Sequence, residues 1–188
     1  MTENQDLIKK ICEKSYKPLQ EASIAGSEQY RSYTIDCDKL EDFDDVNIYI
    51  DKQYKEMFDE LISFACPIVY WFEIISPVST EAIVKAISKY KGRTIRKAIP
   101  AIHKNPNHGT TVLYVGKVMK GFAGRVVTHL GYYKVTRTQG LQLFHWSKEL
   151  KLILKLHVYS FKKELAPMMI VIERGVADEL KPLLGKHR

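Results

Sequence analysis

The sequence contains no uninterrupted apolar run approaching the roughly 20 residues that a membrane-spanning helix needs. Its first ten residues are polar and of mixed charge and lack the basic-then-apolar order of a signal peptide, so a cytoplasmic protein with no membrane association is expected. Cysteine is scarce: Cys12, Cys37 and Cys66 are an odd count at long spacings with no CxxC pair. That pattern supplies neither a disulfide framework nor a zinc site, and the three are read as reduced thiols. Glycine is absent before Gly26, and no G-x-G-x-x-G, P-loop, internal repeat or low-complexity tract occurs. What remains is 188 residues, 45% hydrophobic and 27% charged, enough for one principal domain with a good core.

Charge is abundant but unevenly placed. Of the 22 acidic and 29 basic residues, the first 60 positions hold 15 Asp/Glu against 8 Lys/Arg, and the remaining positions hold 7 against 21. The chain is therefore read in two parts, an acidic, mainly helical extension over 1–60 and a basic domain over 61–188. A basic domain favours a polyanion, because each cation that neutralises a phosphate releases condensed counterions. A solvated basic face is the other reading that charge alone allows.

Periodicity supplies the elements. A loose stripe of Leu7, Ile11 and Tyr16 predicts a helix over 4–16, with Pro18 ending or kinking it, and 36–45 reads as an acidic linker. Asp51 is expected to cap a second helix through Phe64 with Met57, Leu61 and Phe64 on one face. Residues 68–74, aromatic and β-branched and closed by Pro77, predict a buried strand, and Ser79 or Thr80 starts a basic helix carrying Ile83, Ala86, Ile87 and Tyr90. Residues 98–111 read as loop and 111–115 as a second strand. A helix bearing Phe122, Val126, Leu130 and Tyr133 comes next. Leu152, Leu154, Leu156 and Val158 then alternate through a third strand, and Pro167 opens a last helix lined by Met169, Ile172, Val176, Leu180 and Leu183.

Within this frame Glu173 is out of place. Its helical neighbours Met169, Ile170, Val176 and Ala177 are all apolar, so its carboxylate needs compensation. A bound cation would supply it, and so would a salt bridge to Arg125 or a lysine.

Ile68-Val69-Tyr70 and Tyr114-Val115-Gly116 resemble the two halves of the signature of GIY-YIG nucleases, with isoleucine in place of the first glycine. Arg125 and His129 follow Tyr114 by 11 and 15 residues, one turn apart on one helical face, like the family's arginine helix. Glu173 stands nine residues before Pro182 and twelve before Gly185, similar to the family's metal-binding glutamate ahead of a Pro-x-x-Asn or Pro-x-x-Gly turn. The resemblance spans residues 66–188. It implies an α+β fold, a small antiparallel sheet of about three strands flanked by helices, and a DNA endonuclease that hydrolyses phosphodiester bonds. Two departures are visible: Tyr70 and Tyr114 are 44 residues apart, which makes 76–110 an insertion of the kind some restriction-type members carry, and Gly185 replaces the asparagine amide.

The resemblance also distributes roles. Glu173 would hold one Mg²⁺ or Mn²⁺, Arg125 would grip the phosphate, and Tyr70 and Tyr114 would position or deprotonate the attacking water. A phenol has a pKa near 10, so that last role asks for positive charge nearby, which Lys117, Arg125 and the metal would provide. His129 would accept a proton or orient the water, although a lone helical histidine beside an apolar stripe is commonly structural. Lys117, Lys120, Arg93, Arg96 and Lys97 are the expected DNA contacts, the last three belonging to a cationic run with Lys85, Lys89 and Lys91. Cleavage of both strands would call for a homodimer. The rival reading is a nucleic-acid-binding protein on the same fold without catalysis.

Overall fold

The structure, a computed structural model, describes residues 2–42, 47–65, 67–94, 96–132 and 138–185. It is α+β, as expected, with a four-stranded antiparallel sheet rather than about three strands. The elements run α1 (Thr2–Ala25), β1 (Gln29–Asp36), α2 (Lys55–Ser63), β2 (Ile68–Ile74), α3 (Thr80–Lys91), β3 (Val112–Val118), α4 (Phe122–Leu130), β4 (Ile153–Ser160) and α5 (Met169–Leu180). Strand order is β1-β4-β2-β3, so β3 is an edge strand.

The additional strand is β1. Its sequence, Gln-Tyr-Arg-Ser-Tyr-Thr-Ile-Asp, has no apolar alternation because only Ile35 is buried. It is held by an eight-pair ladder to β4, from Gln29 opposite Ser160 to Asp36 opposite Ile153, and backbone pairing leaves no mark on composition. A second difference is α1, which continues through Pro18. Leu19 and Ala22 pack with Leu165, Phe161 and Met169, and that burial holds the helix beyond a residue that removes one of its hydrogen bonds.

Other elements sit where periodicity puts them. Ser79, rather than Thr80, caps α3 by accepting a hydrogen bond from the Ala82 N–H at 3.2 Å. Asp51 braces a turn before α2 through the Gln53 N–H at 2.9 Å, and the helix itself starts at Lys55. Pro167 lies in a 3-10 turn, Lys163–Met168, that leads into α5. Cys12 is an exposed free thiol and Cys37 a buried one, pushed up to about 12 chiefly by burial. Cys66 and Tyr133 lie outside the described residues. Among those described, no helix is long and apolar enough to cross a membrane.

The main core lies on one sheet face, where Tyr70, Phe72, Leu154, Leu156 and Val158 meet α2, α3 and α4. Helix α5 covers part of the other face through Ala177, Val176 and Leu180 against Val112, Val115 and Trp71. The boundary expected near residue 60 does not appear as a break in packing, because Ile35, Phe58 and Leu61 belong to the same core cluster as Phe72 and Leu156. The tail after α5 fastens the free edge of β3: the Leu183 and Leu184 N–H groups donate to Val112 and Leu113 carbonyls at 2.8 and 3.0 Å. Gly185 N–H donates to Ala101 O at 2.9 Å, which ties the 99–101 loop to the same edge.

Two truncations test this organisation. A chain starting at residue 61 loses β1 and α2 and is expected to unfold without cooperativity by circular dichroism. Removing residues 1–16, which extend beyond the packed part of α1, should lower Tm by no more than about 4 °C.

Candidate active site

Pairing of β2 with β3 sets Tyr70 opposite Gly116 and Phe72 opposite Tyr114, so both tyrosines lie on the core face one pair apart. Helix α4 packs over them. Gly121 enters it at φ +67° and Gly131 leaves it at φ +108°, left-handed conformations that favour glycine, and the helix buries Phe122, Val126 and Leu130. Arg125 and His129 consequently project from one face onto the Tyr70 phenol.

Tyr70 is fully buried, and its oxygen lies 2.8 Å from His129 Nε2 and 3.1 Å from Arg125 Nε. The direction of the first bond follows from the far side of the ring. His129 Nδ1 accepts the Leu141 N–H at 3.1 Å, so in the neutral imidazole the proton resides on Nε2 and is donated to Tyr70. Burial, then the Arg125 charge, hold the His129 pKa well below its ordinary value, in agreement with a neutral ring. Both acceptor positions of the phenol are thereby filled by donors. Burial also raises the Tyr70 phenol above its usual range, Tyr114 adds to the rise, and the Arg125 guanidinium opposes it without reversing it.

Arg125 organises the remainder. Its Nη2 donates to Tyr114 Oη at 3.4 Å and its Nη1 to the Gln139 carbonyl at 2.5 Å, so one guanidinium bridges both tyrosine hydroxyls and the loop after α4. Gly116 provides the space. A Cβ there would stand 2.7 Å from the Tyr70 hydroxyl and 2.8 Å from the Tyr114 ring, closer than real Cβ contacts allow. The glycine of the Tyr-Val-Gly element is therefore a packing requirement of the two tyrosines.

At the β3 edge, Tyr114, Lys117 and Glu173 line a cavity of about 580 Å³ with Lys91, Arg174 and Gly185. Glu173 forms a part-buried ion pair with Lys117. Of the two compensations the sequence left open for this carboxylate, the structure contains the salt bridge, and it is made to Lys117, not Arg125. Among the described residues there is no cluster of three or more His, Cys, Asp or Glu. Among the described residues lining the cavity, Glu173 is the one acidic side chain, so a hard cation held there would draw the rest of its shell from water or substrate oxygens. Gly185, at φ +121°, sits where an asparagine would be strained.

The expected residues separate into three groups. Tyr70, Tyr114, Arg125 and His129 form one hydrogen-bonded cluster; Tyr114, Lys117 and Glu173 face the cavity; Arg93, Arg96 and Lys120 are exposed outside it. Lys97 requires correction. It is 8% exposed and its Nζ donates to the Gly131 carbonyl at 2.7 Å, so it caps the C-terminal end of α4 and is not placed to meet DNA. Lys91, a member of the cationic run, and Arg174, which the sequence did not single out, also line the cavity. Comparison of the chain with protein-family models, curated proteins and solved structures finds no match.

Gly116→Ala is expected to displace a tyrosine ring and cost about 1–3 kcal/mol, the usual range for overpacking, read as a drop in Tm. Wild-type stability would show that the rings have room to move. A second expectation concerns pH. Because the folded His129 pKa is depressed, the unfolded chain binds the extra proton first, so its contribution is complete above about pH 6.5 and is lost as pH falls below it. In ¹⁵N NMR, His129 should remain a neutral Nε2–H imidazole down through the pH range in which an ordinary histidine, with a pKa near 6.5, becomes protonated. An imidazolium signal in that range contradicts the assignment.

Proposed function

We propose that this chain is a metal-dependent DNA endonuclease of the GIY-YIG type that hydrolyses phosphodiester bonds in the cytoplasm. One observation carries the reading: residues selected from widely separated parts of the sequence by their resemblance to that family converge on two connected features. Tyr70, Arg125 and His129 meet in one buried hydrogen-bond cluster, and Arg125 joins that cluster to Tyr114 on the wall of the cavity that Glu173 shares.

Hydrolysis of a phosphodiester requires a positioned water, neutralisation of charge on the phosphate and help for the leaving oxygen. Tyr114 is the phenol at the cavity wall and takes the water-positioning role. Tyr70 is sealed behind it and, with neutral His129, holds the Arg125 guanidinium; both are positioning residues in this scheme. Glu173 would hold Mg²⁺ or Mn²⁺, an ion that supplies Lewis-acid stabilisation of the phosphate. Lys117 shares the carboxylate and lines the cavity, so that if released from Glu173 it would be a cation able to meet the phosphate or the leaving oxygen. The 76–110 insertion gives the reading a restriction-type direction, and cutting both strands would require a homodimer. The alternative is a binding module without catalysis, in which Glu173 would serve only as the ion-pair partner of Lys117.

Nicking of supercoiled plasmid with Mn²⁺ tests the proposal. Glu173→Gln and Tyr114→Phe should each lower the rate at least about 100-fold, the scale of a lost general acid–base or metal contribution. The Lys117–Glu173 pair is partly exposed, at 28% and 16%, so Glu173→Gln should shift stability by less than about 1 kcal/mol. Mn²⁺ should raise Tm in the wild type and not in that variant. Full cleavage by both variants, or absence of any metal-dependent nicking by the wild type, overturns the reading.

A further inference from the structure

The cavity carries more positive charge than its acidic side chain needs. Among the described residues, Lys91, Lys117 and Arg174 line it against the single carboxylate of Glu173. Since Lys117 and Glu173 neutralise each other, Lys91 and Arg174 are left as surplus. Neither forms a buried ion pair with a carboxylate among the described residues. The Lys91 Nζ donates to the Pro100 carbonyl at 3.0 Å, which fixes the ammonium and leaves two N–H groups for other acceptors. Arg174 is exposed, with Nε 3.9 Å from Asp178 Oδ2, a loose i,i+4 surface contact.

Their placement matters as much as their charge. Lys91 ends α3, which packs through Ile83, Ile87 and Tyr90 into the core on the sheet face that holds Tyr70. Arg174 lies on α5, which packs on the opposite face through Ala177 against Val115. The two cations therefore approach the β3 edge from opposite faces of the sheet, with Tyr114 and Lys117 on the strand between them. The Gly185–Ala101 hydrogen bond pins the Lys91 side of the cavity to that same edge. Burial of Lys91, with Arg96 nearby, lowers its pKa, as for a cation placed where an anion would relieve the cost.

We propose that Lys91 and Arg174 bind the two phosphates that flank the scissile one, so that the site takes a continuous polynucleotide strand across at least three consecutive phosphates. The inference rests on the endonuclease reading for which phosphate is central, and on the cavity's charge and geometry for the flanking contacts. Lys91 belongs to the 76–110 insertion, which gives that segment a substrate-binding role beyond its packing.

The test uses the full chain and a fluorescein-labelled DNA duplex, with anisotropy measured in EDTA at several salt concentrations. Lys91→Met and Arg174→Gln should each weaken binding about tenfold and reduce the slope of log Kd against log salt by about one. Lys85→Met is the control: Lys85 is an exposed cation of α3 that does not line the cavity, and its loss should leave the slope nearly unchanged. Under cleavage conditions the two site variants should raise KM with kcat retained. If Lys91→Met and Arg174→Gln behave like Lys85→Met, binding is diffuse and the inference fails, even where the wild type cuts DNA. If the binding pattern holds but the wild type cuts no DNA with Mg²⁺ or Mn²⁺, the flanking-phosphate site stands and the endonuclease reading falls.

Discussion

The arrangement depends on a phenol oxygen placed inside the core. Tyr70 is on a central strand and completely buried, where an unpaired hydroxyl would be costly, and its oxygen is satisfied by one neutral and one charged donor. Satisfying it fixes much else. His129 must be the Nε2–H tautomer, which in turn requires the Leu141 N–H behind it. Arg125 must lie with Nε toward Tyr70, which turns its Nη2 to Tyr114 and its Nη1 to the Gln139 carbonyl. Gly116 must carry no side chain. Two donors converging on one phenol oxygen thus tie together two strands, a helix and the loop that follows it.

The cavity lies away from this cluster, at the edge of the sheet. Tyr70 and His129 are fully buried, while Tyr114 lines the cavity at β3, an edge strand among the described residues. An exposed edge invites pairing with other chains. Here the tail at Leu183 and Leu184 occupies part of it and brings Gly185 and the 99–101 loop to the cavity. The tail both closes an edge and builds a wall, which accounts physically for a turn at Pro182 following α5.

Charge is used in two distinct ways. Lys97, in the middle of a cationic run, is a buried structural ion holding the end of α4, whereas Lys91 in the same run faces the cavity. The acidic N-terminal portion is likewise not an appendage, because β1 and α2 complete the sheet and the core. Net charge along the chain therefore separates surface character, not folding units.

The sequence by itself determined the elements whose own side chains alternate or repeat. The buried run 68–74, the Leu152–Leu154–Leu156–Val158 alternation and the Phe122–Val126–Leu130 stripe all record burial on one face, and burial selects residue type. A family resemblance also singled out Tyr70, Tyr114, Arg125, His129 and Glu173 as candidates, and the first four meet in one hydrogen-bonded cluster. Only the tertiary structure decided β1, whose ladder is made of backbone groups common to all residues, and the passage of α1 through Pro18, which packing against a distant turn permits. It alone assigned Lys117 as the partner of Glu173, 56 residues away, and separated Lys91 from Lys97. Local pattern encodes which face of an element is buried; which charged groups meet across elements depends on how the sheet edge, the helices and the tail close around one another in space.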